Sequence, residues 1–173
     1  MKQIFLLLFS SIFLNFGIPE PIQKKIDKEI ISIFEIDSFS KTPIPIDEEL
    51  NSELLVPIGP ENFYKIFYED NLLGYFYYGK ALGKVDDFDY LVVFDDHMIL
   101  KKIKILAYRE DYGGEISSKR WLKQFIGLTN HNRIEYSKDI KAISGATISA
   151  RSMTNSINDL LKSLSILQNK KQL

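Results

Sequence analysis

The chain has 173 residues, of which 45% are hydrophobic and 26% are charged, and its formal net charge is −1 at pH 7. This composition is typical of a globular chain that is long enough to bury a core of ordinary size. The near-neutral charge gives no indication of nucleic-acid binding, and the absence of cysteine excludes thiol catalysis, disulfides, iron–sulfur clusters, cysteine zinc sites and a lipid anchor on an N-terminal cysteine. His97 and His131 are far apart in sequence and do not have metal-ligand spacing, so no metal site is expected.

The amino end differs in composition from the rest of the chain. Lys2 gives it a positive start, and about a dozen mostly apolar residues follow from Ile4. This run is shorter than the ~20 residues of a comfortable membrane span. Residues 1–18 are therefore predicted to be a secretory signal peptide, and an uncleaved anchor is the alternative. Either interpretation implies export from the cytoplasm.

The next segment, residues 19–61, is predicted to be an N-terminal helix followed by a linker. Within residues 22–36, apolar side chains recur at helical spacing, namely Ile26, Ile30, Ile33 and Phe34. This pattern predicts an amphipathic helix that packs on the domain, with a membrane-surface helix as the weaker alternative because its polar face is mixed in charge. Residues 37–60 are rich in proline, serine and acidic residues, which favours an irregular connection.

The body of the chain has the pattern of an antiparallel sheet. Aromatic and β-branched runs are separated by acidic turn residues, and they predict strands at residues 63–68, 72–78, 90–94 and 98–108. Because the turn signals are local, consecutive strands are expected to pair as a meander. The fold class predicted is α+β, with the sheet packed against helices. The tyrosines and phenylalanines of these strands are interpreted chiefly as core residues.

A turn and a short helix are predicted after the last strand. Gly113 and Gly114 indicate the turn, and Ser118 can cap a helix that ends at Gly127. The apolar face of this helix is formed by Trp121, Leu122, Phe125 and Ile126. Trp121 is interpreted as a core residue between helix and sheet.

A small, hydroxyl-rich stretch, residues 144–147, precedes the last helical pattern. Ser149 is a natural N-cap for that helix, because a serine hydroxyl can accept from an amide two or three residues on. Free amides and the helix dipole favour an anion at such a position, and Gly145 allows a ligand to approach the backbone closely. Together with the hydroxyls of Ser144 and Thr147, these features are typical of a phosphate-binding site. An ordinary loop that ends at a helix cap is the alternative.

The segment from Ile143 to Ser149, followed by an amphipathic helix, resembles the FMN-binding domain family. That family includes the covalent-flavin subunits of sodium-pumping NADH:quinone reductases and of Rnf-type complexes. Its motif, Asp-x-x-Ser/Thr-Gly-Ala-Thr, carries FMN as a phosphoester on the last threonine, which is Thr147 here. The resemblance implies that a separate flavin transferase installs the FMN from FAD. The position of the leading aspartate is occupied by Lys141, and Asp139 lies two residues earlier.

The resemblance extends over about residues 62–164, and residues 62–168 are predicted to form the FMN-binding domain. It implies that Ser144, Gly145, Ala146, Thr147 and Ser149 surround the phosphate. In the family, a Glu-Thr-Pro-Gly loop borders the flavin ring, and residues 110–113 occupy its place here. The turn of Tyr112, Gly113, Gly114 and Glu115 is therefore expected beside the ring. Only Glu110 and Gly113 match that loop.

The function implied is that of an exported FMN protein, periplasmic or on the outer face of the cytoplasmic membrane. It would carry electrons between redox partner proteins or within a membrane electron-transport complex, and it would have no catalytic residues of its own. Two alternatives remain open. One is a domain that holds FMN non-covalently, as a store or sensor, and the other is an exported interaction module without flavin.

Overall fold

The structure is a computed structural model, and it describes residues 17–173. The predicted signal peptide falls almost entirely on residues outside this range. Among the described residues, no helix is both long enough and apolar enough to cross a membrane.

Five antiparallel strands form one sheet, and each strand pairs with the next one along the chain. The strands are β1 (Ser40–Pro43), β2 (Phe63–Tyr68), β3 (Asn71–Leu82), β4 (Asp87–Asp95) and β5 (Leu100–Ala107). This arrangement confirms the predicted α+β class and the predicted meander. The strands β3 and β4 are longer than predicted, and the register pairs Leu82 with Asp87 at their shared end.

The two faces of the sheet are covered by different helices. The helix α4 (Thr147–Asn169) buries Met153, Ile157 and Leu160 in the larger core, which also contains the tyrosines of β3 and β4 that point to that face. On the other face, α1 (Glu20–Phe34) buries Ile22, Ile26 and Ile30 against a smaller apolar cluster. Because both faces are covered, β4 is buried from Phe88 to Phe94, and the predicted amphipathic helix packs on the sheet as expected.

Residues 37–60 are more ordered than the irregular connection that the sequence predicts. They contain β1 and a one-turn helix, α2 (Glu48–Asn51). The strand β1 is mostly exposed and adds to the sheet through backbone pairing with β2, so it has no alternating apolar pattern. The Asn51 side chain bonds the backbone of Ile58 in both directions, at 2.9 and 3.2 Å, and fixes the path after α2.

The predicted short helix is present as α3 (Lys119–Leu122), continued by a 3₁₀ turn over Lys123–Phe125. The Ser118 hydroxyl accepts from the Trp121 amide at 3.3 Å, which confirms the predicted cap. Trp121 is buried as expected, and its ring nitrogen donates to the Lys141 carbonyl at 2.7 Å. The prediction that Ile126 belongs to the apolar face of this helix is wrong. Ile126 lies beyond the 3₁₀ turn, in extended backbone, and is 47% exposed.

Candidate functional site

The candidate site lies where α4 begins. Thr147 is the first helical residue, and Ala146 occupies the N-cap position without a side-chain hydrogen bond. The first helical amides have no partner in a preceding turn, so they are available to a ligand. Thr147 is exposed, and its hydroxyl makes one weak bond, a 3.5 Å contact to the Ile143 carbonyl. This hydroxyl is therefore free to react or to bind.

Ser149 does not cap α4, contrary to the sequence-based prediction. It lies inside the first turn, is only 2% exposed, and its hydroxyl is 3.1 Å from the Tyr108 hydroxyl. The helix starts three residues earlier than predicted, since Ala146 takes the N-cap position and its carbonyl already accepts from the Ala150 amide at 2.9 Å. Ser149 consequently ties α4 to the segment that follows β5.

The two residues before Thr147 differ in their surroundings, because Gly145 borders open space and Ala146 is packed against the protein. Gly145 has a φ of 83°, in the left-handed region that favours glycine, and a Cβ added there would meet nothing within 4 Å. Ala146 is buried and faces Gly113. A ligand can therefore reach the start of the helix over Gly145 without displacing a side chain.

A cleft of about 620 Å³ lies between the start of α4, the segment after β5 and the turn that joins β3 to β4. Five of the residues predicted from the sequence line it, namely Tyr112, Gly145, Ala146, Thr147 and Ser149. The remaining lining residues are Lys84, Val85, Asp86, Tyr108, Arg109, Glu110, Asp111 and Ile148. The structure therefore brings four of the five predicted phosphate residues to one cavity with one of the four predicted ring residues, Tyr112.

Four predicted residues do not line this cleft. Ser144 is exposed beside it, and Gly114 and Glu115 lie in the first turn of a 3₁₀ helix over Gly114–Ser117. Gly113 is buried with a φ of 83°, and a Cβ added there would lie 2.7 Å from the Tyr108 hydroxyl and 3.2 Å from the Ala146 Cβ. The absence of a side chain at Gly113 thus allows the loop after β5 to pack on the start of α4.

The turn between β3 and β4 is the part of the site that the sequence analysis missed. Lys84, Val85 and Asp86 are remote in sequence from Thr147, and they reach the cleft because β4 pairs Asp89 with Ala107 at the end of β5. That register brings the two segments to the same edge of the sheet. The local signals were Gly83, just after the strand, and the acidic pair Asp86-Asp87, which is typical of a turn and does not by itself indicate a ligand site.

Three side chains hold the segment after β5 in place. The Tyr108 hydroxyl donates to the Tyr112 carbonyl at 3.0 Å, and the Arg109 guanidinium donates to the Asp87 carbonyl at 2.8 Å. One Glu110 carboxylate oxygen accepts from the Val85 amide at 2.8 Å and from the Asp86 amide at 3.3 Å. These amide bonds, that of Val85 above all, lower the pKa of Glu110, so the carboxylate is ionised at neutral pH.

Arg109 also forms an ion pair with a buried carboxylate. Asp89 is only 1% exposed, and one of its oxygens receives the guanidinium of Arg109. This hydrogen bond raises the pKa of Arg109. Burial, together with the negative charge of Asp89, raises the pKa of Tyr78 to about 12, so that phenol stays protonated beside the pair. The pair fixes Arg109 at the edge of the cleft because breaking it would leave a buried, uncompensated charge.

A second groove begins on the other side of Thr147. It is lined by Asp139 and Arg151 among others, and the Arg151 guanidinium lies 5.6 Å from the centre of the Tyr136 ring. Lys141 is exposed and lines neither the groove nor the cleft. Its backbone is held by Trp121 and by Gln124, whose side-chain oxygen accepts from the Lys141 amide at 2.9 Å.

The cleft and the turn both belong to a stretch that matches a known family. The model of the FMN-binding domain matches residues 83–162, just under half of the chain. The chain carries an FMN-binding domain. This confirms the resemblance seen in the sequence and identifies FMN as the cofactor. The matched stretch contains Thr147 and the whole Ser-Gly-Ala-Thr segment.

The fold is similar to that of a solved structure described as "Crystal structure of Shewanella oneidensis NqrC". The TM-score is 0.57 at 11% identity, over 87% of this chain and 98% of that one. At this identity the likeness concerns the fold. A search of curated proteins found no match to the chain.

The cleft is suited to FMN. Its volume of about 620 Å³ is within the range of about 300–1,000 Å³ that small-molecule sites occupy. One end carries the Thr147 hydroxyl and free amides, which suit a phosphate. Elsewhere the lining includes exposed apolar side chains, with Val85 85%, Tyr112 84% and Ile148 52% exposed, and these suit an aromatic ring.

Proposed function

We propose that this protein is an exported flavoprotein that carries electrons between redox partners through FMN attached to Thr147 by a phosphoester bond. The observation that carries the proposal is the position of one hydroxyl. Thr147 is exposed at the start of α4, lines a cleft of suitable size, and has a single weak hydrogen bond to give up. It stands at the last position of the Ser-Gly-Ala-Thr segment.

Attachment would be a maturation step performed by a flavin transferase. The Thr147 oxygen attacks the FMN phosphorus of FAD and loses its proton, the phosphoester bond forms, and the bond to the AMP half breaks to release AMP. Thr147 is therefore an acceptor in maturation and takes no part in later turnover. FAD supplies the energy of this step through its own anhydride bond, so no other co-reactant is needed.

The chain's own residues would place the cofactor, and FMN would supply the redox chemistry. The free amides at the start of α4 favour the phosphate, and Gly145 leaves its approach open. The segment after β5 and the β3–β4 turn form the walls around the ring, held to each other by Arg109 and Glu110. This wall is fixed before the cofactor arrives, which reduces the ordering that binding requires.

The location and the partners are supported by sequence features. Residues 1–18 have the pattern of a secretory signal, which supports export to the periplasm or to the outer face of the membrane. The resemblance to flavin subunits of sodium-pumping NADH:quinone reductases and Rnf-type complexes supports a role beside other redox proteins, within a membrane electron-transport complex.

A second candidate is a domain that holds FMN without a covalent bond, as a store or sensor. It is favoured by Lys141, which stands where the family motif has its leading aspartate. The lysine side chain is exposed and lines neither the cleft nor the groove, and a transferase that reads the aspartate would not find one at this position.

The test is production of the chain with a flavin transferase and FAD, followed by a denaturing gel viewed for flavin fluorescence. We expect a fluorescent band that persists through denaturation, because the phosphoester is covalent. Thr147→Ala should abolish the band, and Thr147→Ser, which keeps a hydroxyl, should retain part of it. Ser117→Ala is the matched control, since it removes an exposed hydroxyl outside the motif and the cleft and should leave the band intact.

Two other results separate the candidates. Yellow native protein that loses all flavin on denaturation would replace covalent attachment by the non-covalent store or sensor. Colourless native protein would contradict both and favour an interaction module.

A further inference from the structure

We infer that the turn over residues 83–86 is a wall of the FMN site, that Val85 at its tip contacts the isoalloxazine ring, and that Glu110 is the positioning residue that holds the turn there. The inference rests on the proposed function, since it concerns the same cleft. It assigns contacts to a part of the chain that the Ser-Gly-Ala-Thr segment does not include.

The turn is attached to the segment after β5 by one carboxylate. A single oxygen of Glu110 accepts from two consecutive amides, Val85 at 2.8 Å and Asp86 at 3.3 Å. Within the turn, the Gly83 amide donates to the Asp86 carbonyl at 2.8 Å. Two convergent amides bonded to an ionised carboxylate form charge-assisted bonds, which are stronger than neutral ones. The position of Val85 is therefore set by Glu110 and not by the strands alone.

Gly83 shows how closely the carboxylate fits into the turn. A Cβ added at Gly83 would overlap the same Glu110 oxygen and would lie 2.6 Å from the Asp86 carbonyl oxygen. The absence of a side chain at Gly83 is what makes room for the Glu110 carboxylate. The two residues thus form one device, which we call the Glu110 clip.

The clip holds an apolar side chain in solvent beside the cofactor cleft. Val85 is 85% exposed, and across the cleft Tyr112 is 84% exposed. Such exposure leaves apolar surface in water, which is unfavourable. A planar aromatic ring that enters the cleft removes this surface from water. Because a phosphate at Thr147 lies in the same cleft, the isoalloxazine ring is the occupant within reach.

The family match supports the same assignment. It begins at residue 83 and so includes the turn, whereas β1, β2 and β3 precede it. The matched stretch therefore comprises the turn, the segment after β5 and the start of α4, which are the three segments that line the cleft.

The experiment measures how well iodide quenches flavin fluorescence in the protein that carries FMN on Thr147. Val85→Ser should raise the quenching constant, because a contact that shields the ring is lost. Glu110→Ala should raise it as well, since the turn is released. Glu110→Gln should restore most of the shielding, because its amide oxygen can still accept from the Val85 amide. Leu55→Ser is the matched control, at an exposed apolar residue far from the cleft, and should leave the constant unchanged.

Equal quenching in wild type, Val85→Ser and Glu110→Ala would overturn the inference while the proposed function stands. Val85 is nearly fully exposed, so its substitution tests the contact without affecting the core, and the melting temperature verifies this. A wild-type protein without FMN would overturn the proposed function and the inference with it. A rise with Val85→Ser that Glu110→Ala does not reproduce would overturn the positioning role of Glu110.

Discussion

Two glycines of the site have the same left-handed backbone but different surroundings. Gly113 and Gly145 both have a φ of 83°. A Cβ on Gly145 would meet nothing within 4 Å, whereas one on Gly113 would meet the Tyr108 hydroxyl and Ala146. The contrast separates the cost of backbone strain from the cost of crowding.

We therefore expect Gly145→Ala to lower the free energy of unfolding by about 1–2 kcal/mol, the cost of the left-handed conformation. Gly113→Ala should lower it by more, because the loop must also move away from α4. Denaturant unfolding at neutral pH measures both values. A larger loss for Gly145→Ala than for Gly113→Ala would contradict the packing described for Gly113.

At the scale of single residues, the structure has Thr147 at the start of α4 and in the cleft lining, and its role there remains a prediction, whereas the predicted capping role of Ser149 is wrong. Thr147 was found through a segment whose residue types suit a phosphate. Ser149 is as good an N-cap as Thr147 or Ser144 by residue type, and its partner, Tyr108, is 41 residues away. Contacts of this kind depend on the tertiary fold, so a local pattern does not contain them.

The Glu110 clip gives the β3–β4 turn a dependence on pH. Hydrogen bonds from the turn lower the folded-state pKa of Glu110 below its ordinary value of 4.5. The stability that the clip contributes is then fully present above pH 4.5 and is lost as the pH falls through the lower, folded-state pKa. At neutral pH the ionised Glu110 carboxylate therefore holds the turn against the segment after β5.

Glu110→Gln, which mimics the protonated acid, should lower the free energy of unfolding at pH 7 relative to wild type. The gap should shrink as the pH falls from 4.5 through the lower folded-state pKa, because Glu110 is protonated first in the unfolded chain and then in the folded protein. Urea unfolding at a series of pH values measures it. Glu115→Gln is the control, at an exposed residue whose side chain makes no hydrogen bond within residues 17–173. A gap that is unchanged or wider in acid would contradict the clip.

Among the elements, strands with strong apolar patterns could be predicted and the pieces between them could not. The strands β2 to β5 and the helices α1, α3 and α4 correspond to recognisable patterns in the sequence. The strand β1 has the exposed sequence Ser-Lys-Thr-Pro and exists because β2 offers an open edge. In the same way, the β3–β4 turn is part of the site only because of the register between β4 and β5.

At the scale of the molecule, α1 is required to cover the face of the sheet opposite α4. Ile26 and Ile30 are fully buried, and they pack with Phe76 of β3 and Leu91 of β4. The predicted boundary at residue 62 remains a prediction. A fragment that begins at residue 62 would lack α1 and would expose the sheet face that α1 covers.

Ile26→Ala should therefore lower the free energy of unfolding by about 2–5 kcal/mol, as large-to-small core substitutions do. Lys28→Ala, on the exposed side of the same helix, should have an effect of about 0.5 kcal/mol or less. Denaturant unfolding of both variants measures the difference. Equal, small effects would show that α1 is not part of the folded unit that holds the site.

For the whole molecule, the sequence was sufficient for the fold class and the cofactor. Local turns predicted a meander, and the Ser-Gly-Ala-Thr segment before an amphipathic helix predicted the FMN family. The shape of the cleft was not predictable, because it is formed by three segments that only the sheet register brings together. The predicted signal peptide and the redox partners remain predictions.

The most direct measurement is the mass of the peptide that contains Thr147, taken from protein matured in its own host. We expect an increase equal to the mass of FMN less one water, with fragmentation assigning the group to the Thr147 oxygen. An unmodified peptide from native protein that retains no yellow cofactor would contradict it.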